Sequence, residues 1–253
     1  MGHTYVSKIP DHTGMIAWSD AEHQTWRTLI MRQTDTIRER ASREFMIWLD
    51  QIAFDTEHIP QHTRISNIIY NATGWEVVRV PALISDIEFY GLLSQKKFPA
   101  TSFIRIPEEL DYLEEPDIFH EFFGHLPLIT WGPYVDFLER FALFFLGVDP
   151  QYHQFLIRIF WFTIEFGLIE TTEWIRIYGA GILSSHGETL RVLEDPNIIR
   201  LPFNILTCIR TPYRYDIMQS KYFFIQDFDE LFSIFDTDLT ALFEEAILLW
   251  DIS

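Results

Sequence analysis

The sequence predicts a mainly α-helical domain with a few short β-strands. Three observations carry that expectation. Apolar residues recur at three- and four-residue spacing through most of the chain. Ser/Glu pairs of the capping-box type stand where several such runs begin. Only a few short stretches are β-branched or alternating enough to be strands, and no β–α alternation of the Rossmann kind appears. With no internal repeat or low-complexity linker, residues 1–253 read as a single domain.

Residues 1–18 lack periodicity and read as an N-terminal arm. From Asp20 to about Phe54 the positions of Trp26, Leu29, Ile30, Ile37, Phe45 and Leu49 suit one long helix, broken or not, capped by Ser19 and Glu22. Residues 58–74 hold a short helix between Pro60 and Gly74. WEVVRVP (75–81) reads as a strand, residues 85–98 as a helix capped by Ser85, and ATSFIRIP (100–107) as a second strand. Residues 107–125 read as helical in two pieces divided at Pro116. Residues 133–175 are helical again, with a turn at Gly147–Pro150. A short extended segment and a loop follow over 174–185. Ser185 and Glu188 then form a capping box for the next helix, SKYFFIQDF (220–228) is a strand, and 229–253 is a C-terminal helix.

Composition excludes several classes. Hydrophobic residues make up 48%, including 23 Phe, 8 Trp and 10 Tyr, which is ample for a packed core and unlike a disordered chain. The net charge of −18, with acids spread along the chain and no Lys/Arg cluster, argues against a nucleic-acid or anionic-membrane partner. The lone cysteine, Cys208, stands among apolar residues and reads as a small buried hydrophobe. The absence of an internal disulfide and of a secretory h-region fits a cytoplasmic protein. The greasiest run, FALFFLGV (141–148), is too short to span a bilayer.

The chemistry begins at PDIFHEFFGHLP (116–127), where His120 and His125 stand five apart with Glu121 beside the first. A regular α-helix turns about 100° per residue, so positions five apart diverge by roughly 140°. Both histidines reach one metal only if the helix is irregular between them. Pro116 suits a first helical position with Asp117 in the first turn, and Gly124 and Pro127 mark the other end. His120 is therefore expected on a short helix and His125 at or past its unwound end. The third ligand is sought in QFLIRIFWFTIEFGLIE, where Ile157, Trp161 and Glu165 form a four-residue stripe on the apolar side. A buried carboxylate is costly without a cation. Two histidines and a carboxylate with open positions suit non-haem Fe(II), and equally catalytic zinc. Glu121 points away from its neighbour and is a base, a support for the ligands or a cofactor contact. His3, His12, His23, His58, His62, His153 and His186 show no ligand spacing and read as surface or loop residues.

At these residues the sequence resembles the pterin-dependent aromatic amino acid hydroxylases. PDIFHEFFGHLP satisfies every position of that family's signature: Pro-Asp, two variable residues, then His-acid-apolar-apolar-Gly-His-apolar-Pro. FWFTIEFGL and YGAGILSSHGE resemble its downstream stretches in the same order, and the likeness runs from about Trp75 to about Phe228. It implies a single catalytic domain of the aromatic amino acid hydroxylase type. It also implies an iron enzyme that uses tetrahydropterin (tetrahydrobiopterin or a bacterial equivalent) and O2 to hydroxylate an aromatic ring through a ferryl-oxo species. Carried over by motif, His120, His125 and Glu165 would bind Fe(II). Phe89 in DIEFYG would stack on the pterin and Glu121 would lie beside it. Arg105 in SFIRIP would pair with the substrate carboxylate, and Pro116, Trp161, Phe166, Gly181 and Ser184 would line the substrate pocket.

The short chain, with no room for a regulatory domain and no heptads for a tetramerisation coiled coil, resembles the bacterial form of the family. That form typically acts on L-phenylalanine, as a monomer or small homo-oligomer. Phe160 departs from the Tyr that many members carry near the iron, and Leu113 replaces a hydroxyl residue near the substrate. The alternatives are a zinc metallopeptidase of the His-Glu-x-x-x-His type with Glu121 as general base, and a related tryptophan or tyrosine hydroxylase. A non-catalytic domain with a structural metal is weakest, because such sites take four protein ligands and only three are found.

Overall fold

The computed structural model describes residues 5–81, 83–111, 115–249 and 251; His3 and Leu113 lie outside them. The run over 20–54 is two helices. Helix α1 (Asp20–Ile37) opens on the expected capping box, with Ser19 and Glu22 each accepting the other's backbone N–H. The chain breaks after Ile37, and α2 (Arg43–Ile52) restarts on Ser42. Trp26, Leu29, Ile30, Ile37, Phe45 and Leu49 are all buried, as their spacing predicts. Helix α3 (His62–Thr73) ends on Gly74 at φ +77°, a left-handed conformation open to a residue without Cβ.

A small β–α–β unit follows. Strands β1 (Glu76–Arg79) and β2 (Lys97–Ala100) are parallel, with Val77 opposite Phe98, and α4 (Asp86–Leu93) crosses between them. The second strand thus lies earlier than the expected 100–107. Residues 101–106 leave the sheet because their polar backbone is claimed from elsewhere. Lys8 N–H donates to Ser102 O at 2.9 Å, and Ile118 N–H donates to Phe103 O at 3.0 Å. Ser102 N–H donates to Ser7 Oγ at 2.9 Å, and Ser102 Oγ donates to Lys8 O at 2.7 Å. The N-terminal arm is therefore strapped to this segment.

The middle of the chain is helical: α5 (Leu126–Ile129), α6 (Gly132–Gly147) and α7 (His153–Phe160). The expected helix does not run to 175. It gives way to β3 (Leu168–Glu170), which turns back into β4 (Ile175–Ile177). The anticipated loop before Ser185 contains a single turn, α8 (Ala180–Leu183), and then α9 (His186–Glu194). Strand β5 (Ile199–Pro202) and helix α10 (Ile205–Ile209) were not foreseen, being too short to show a period, and β6 (Lys221–Ile225) was. The mixed sheet runs β4-β3-β6-β5, with β3–β4 antiparallel and the other pairs parallel. The terminal helix expected over 229–253 is divided into α11 (Phe228–Phe232) and α12 (Leu239–Leu248).

The core is aromatic. Phe119, Phe122, Phe123, Phe141, Phe145 and Phe162 are essentially inaccessible, and Cys208 is buried as expected. Among the described residues no helix is long and apolar enough to cross a membrane.

Gly124 shows how tightly α8 is packed. A Cβ there would stand 2.8 Å from the Ala180 carbonyl oxygen, a backbone atom that cannot swing aside. Gly124→Ala is accordingly expected to cost about 1–3 kcal/mol of stability, read from urea denaturation. An unchanged midpoint would mean that α8 gives way without penalty.

Candidate metal centre

The helix carrying the two histidines does not unwind. Residues His120–His125 form a π-helical turn, followed directly by α5. A π turn closes hydrogen bonds between residues five apart, so it returns position i+5 to the face of position i. The five-residue spacing thus keeps both imidazoles on one side of a continuous helix. Pro127 fits into the first turn of α5, where its missing N–H matters least. At the start, Pro116 precedes the helix. Asp117 is its cap rather than a first-turn residue, accepting His120 N–H at 3.0 Å.

The same device recurs on the other side. Trp161–Glu165 is also π-helical, closed by Phe166 N–H donating to Trp161 O at 2.9 Å. The four-residue stripe through Trp161 and Glu165 is therefore broken, and Glu165 falls in register with Phe160. Two π turns bring three donors together. His120 Nε2 and His125 Nε2 stand 3.1 Å apart. Glu165 Oε1 is 3.2 Å from His125 Nε2, and Oε2 is 3.6 Å from His120 Nε2. Ligands roughly 2.1 Å from one ion at right-angled to tetrahedral angles stand about 3.0–3.4 Å apart, so this triad fits a divalent transition metal.

The protonation pattern agrees. Ser184 Oγ donates its one proton to Ala180 O at 2.8 Å. It must therefore accept from His120 Nδ1–H, 2.8 Å away. That fixes the tautomer and leaves the Nε2 lone pair facing the other donors. Burial brings the His120 imidazole down to about 4, which keeps it neutral. Burial alone would raise the Glu165 carboxyl, but His125 and His120 beside it hold it below its ordinary value.

These donors sit in a cavity of about 530 Å³. The residues assigned roles by motif all line it: His120, His125, Glu165, Phe89, Glu121, Arg105, Pro116, Trp161, Phe166, Gly181 and Ser184. Arg105 is committed on one side. Its Nε and Nη2 donate to Asp117 at 2.9 and 2.8 Å in a buried bidentate pair, which holds the Asp117 carboxylate low against the opposing effect of burial. The fork formed by Nη1 and Nη2 remains for the cavity. Phe89 meets Phe160 edge-to-face at 5.6 Å. The Phe160 ring also meets Tyr90 and Phe141 and lines the cavity.

Glu121 lines the same cavity but is no member of the triad; its carboxylate is bound to Thr101. Its Oε2 accepts Thr101 N–H at 2.6 Å and Thr101 Oγ1–H at 3.0 Å, and burial pushes its carboxyl well above the usual range. Sequence reasoning missed Thr101, which has no motif and meets Glu121 only through the fold. It also misplaced His62. This residue is buried, and Nε2–H donates to Thr101 O at 2.9 Å. Ser184, read as a pocket residue only, is the partner of a triad imidazole.

Comparison with known proteins accords with this arrangement. The biopterin-dependent aromatic amino acid hydroxylase family matches residues 3–240, and the chain belongs to that family. It is thus a pterin-dependent aromatic amino acid monooxygenase, and not the zinc peptidase that His-Glu-x-x-x-His also allowed. It is 46% identical over 245 residues to the phenylalanine-4-hydroxylase of Pseudomonas aeruginosa, covering 97% of this chain and 93% of that protein. The apo structure of the cold-active phenylalanine hydroxylase of Colwellia psychrerythraea superposes with a TM-score of 0.93 at 43% identity, covering 98% of this chain and 97% of that one. The Chromobacterium violaceum phenylalanine hydroxylase with bound oxidised Fe(III) gives 0.90 at 35%, covering 97% and 89%.

His62 gives the fold a pH dependence. Burial lowers its pKa to about 4, against 6.5 for an ordinary histidine. Between those values the unfolded chain binds a proton that the folded chain refuses, so stability falls as pH drops from 6.5 towards 4. The loss is about 1.4 kcal/mol per pH unit from this residue. Denaturation of wild type and His62→Leu at pH 7 and pH 4.5 should show the smaller acid loss in the variant. Equal losses would place the acid sensitivity elsewhere.

Proposed function

We propose that the chain is a phenylalanine 4-hydroxylase that converts L-phenylalanine to L-tyrosine with O2 and tetrahydropterin at an Fe(II) held by His120, His125 and Glu165. The observation that carries this reading is the convergence of those donors, with one donor atom from each all within 4.8 Å of one another, in the cavity that also presents Arg105 and an aromatic wall. Two nitrogens and one carboxylate with open positions suit Fe(II). The relatives named above are phenylalanine hydroxylases, and one of them is described with bound Fe(III).

When bound, the iron and the pterin supply the reductive activation of O2; the chain supplies placement. Arg105, locked by Asp117 on one edge, offers its second fork to the substrate carboxylate. Trp161 and Phe166, 4.6 Å apart, form the wall for the substrate ring. Pro116 and Gly181 complete its outline, and Gly181 leaves room that a Cβ would deny, since that atom would meet Phe166 at 2.9 Å. Phe89 offers a flat apolar surface to the pterin. Glu121, whose Oε2 is held by Thr101, has Oε1 left for a polar atom of the pterin ring. The apolar surroundings exclude water from the reacting atoms.

Purified protein loaded with Fe(II) should form tyrosine from phenylalanine only when tetrahydropterin and O2 are both present; no tyrosine with iron confirmed bound would sink the reading. His120→Ala and Glu165→Ala are each expected to abolish this turnover and to lower iron content below one per chain, while circular dichroism stays that of a folded protein. Arg105→Lys keeps the charge and loses the fork. It should raise the KM for phenylalanine well above any change in the KM for tetrahydropterin, and equal changes in both would contradict the role of Arg105.

A further inference from the structure

Behind the indole that walls the cavity stands Gln219, which is 6% exposed and uses both ends of its side-chain amide. Oε1 accepts Trp161 Nε1–H at 3.3 Å. Nε2 donates to Arg214 O at 2.6 Å and to Ile217 O at 3.0 Å. The orientation of the amide follows from chemistry. Turned over, it would set a donor against the indole N–H and an acceptor against two carbonyls.

The Gln219 backbone is anchored before its side chain acts. Its N–H donates to Glu188 Oε1 at 3.0 Å, and its carbonyl accepts Arg191 Nη1–H at 2.9 Å. Glu188 was expected to close a capping box with Ser185. Ser185 does accept Glu188 N–H at 3.3 Å, but the carboxylate turns inward to Gln219 and to the Tyr222 hydroxyl. Helix α9 thus holds Gln219, and Gln219 holds Trp161.

Stacking alone would leave Trp161 under-determined. Its ring stacks on Tyr213, 4.3 Å away at 22°, and tilts against Phe166, 4.6 Å away at 33°. Stacking on its faces fixes the plane of the indole but does not distinguish the two orientations related by a half-turn about Cβ–Cγ, which share that plane and exchange its edges. The Nε1–H bond removes that freedom and decides which edge of the indole faces the cavity. We propose that Gln219 is a positioning residue that selects one of the two orientations of the Trp161 indole about Cβ–Cγ and thereby sets the size of aromatic ring the cavity accepts. The inference rests on the reading of the cavity as an aromatic amino acid site. A pocket discriminates apolar side chains by shape, with ratios of about 10–200-fold, so a wall free to turn would forfeit much of that discrimination.

The test is calorimetric binding of L-phenylalanine and L-tryptophan to the Fe(II)-loaded enzyme, which needs no turnover. Gln219→Met should shift the ratio of the two Kd values towards tryptophan by about tenfold. In a Trp161→Phe background, which lacks the indole N–H, the same change should shift it less than about twofold. A Gln219→Met protein that melts lower but keeps the wild-type ratio would make Gln219 purely structural and overturn the proposal. So would an equal shift in both backgrounds. If the wild type binds neither amino acid, the reading of the cavity falls and this inference with it; if it binds phenylalanine and only the ratio fails to move, this inference falls alone.

Discussion

The site depends on a change of helical period. Three candidate metal-binding atoms come within about hydrogen-bond distance of one another from two separate helical stretches. Over His120–His125 the α period would turn the two imidazoles away from each other, and the π period returns them. Over Trp161–Glu165 the same shift sets the carboxylate in register with Phe160. Two insertions of this kind, facing each other, are a local defect in regular structure. The surrounding core holds them: Phe119, Phe122 and Phe123 are inaccessible on the first stretch, as are Phe162 and Ile164 on the second. Gly124 lets α8 approach against the first turn, and Gly181 lets it approach Phe166 beyond the second.

A second layer of polar contacts keeps each functional group in place from behind. Ser184 holds the far nitrogen of His120, Asp117 holds Arg105 and caps the same helix, and Thr101 holds Glu121 with two donors. Removing one member of a buried charged pair strands the other at a cost of several kcal/mol, so Arg105 and Asp117 stand together. The arrangement separates tasks by side: one face of each group is spent on the protein and the other is left for the ligand.

Much of this was legible in the sequence. The triad was readable because histidine spacing and a carboxylate on an apolar face are both anomalies that a metal relieves. The capping box at Ser19 was readable because its chemistry is local. Less local features were hidden. The π turns carry no composition of their own, so His125 was expected past a helix end and Trp161 on one face with Glu165. The strand placed at 100–107 moved to 97–100 because distant segments, Ser7, Lys8 and Asp117, claim the backbone of 101–106. Glu188 has the spacing of a capping partner, yet its carboxylate is drawn to Gln219 and Tyr222, more than thirty positions away. His62 passed for a surface histidine because a single imidazole at a helix start says nothing about what is packed over it.

The strap formed by the N-terminal arm bears on the order in which the chain assembles. Ser102 is tied to Ser7 and Lys8 across 95 and 94 positions of sequence, whereas His125 and Glu165 lie about 40 apart. Loop-closure entropy rises with separation, slowly but without exception for flexible chains, and distant contacts slow folding. The wall bearing Thr101 and Arg105 is joined to the histidine helix over only 20 and 12 positions, through Glu121 and Asp117, and its longest-range tie is the arm. The arm is thus the closure that costs this wall most entropy, laid over a segment whose bonds to the histidine helix are short.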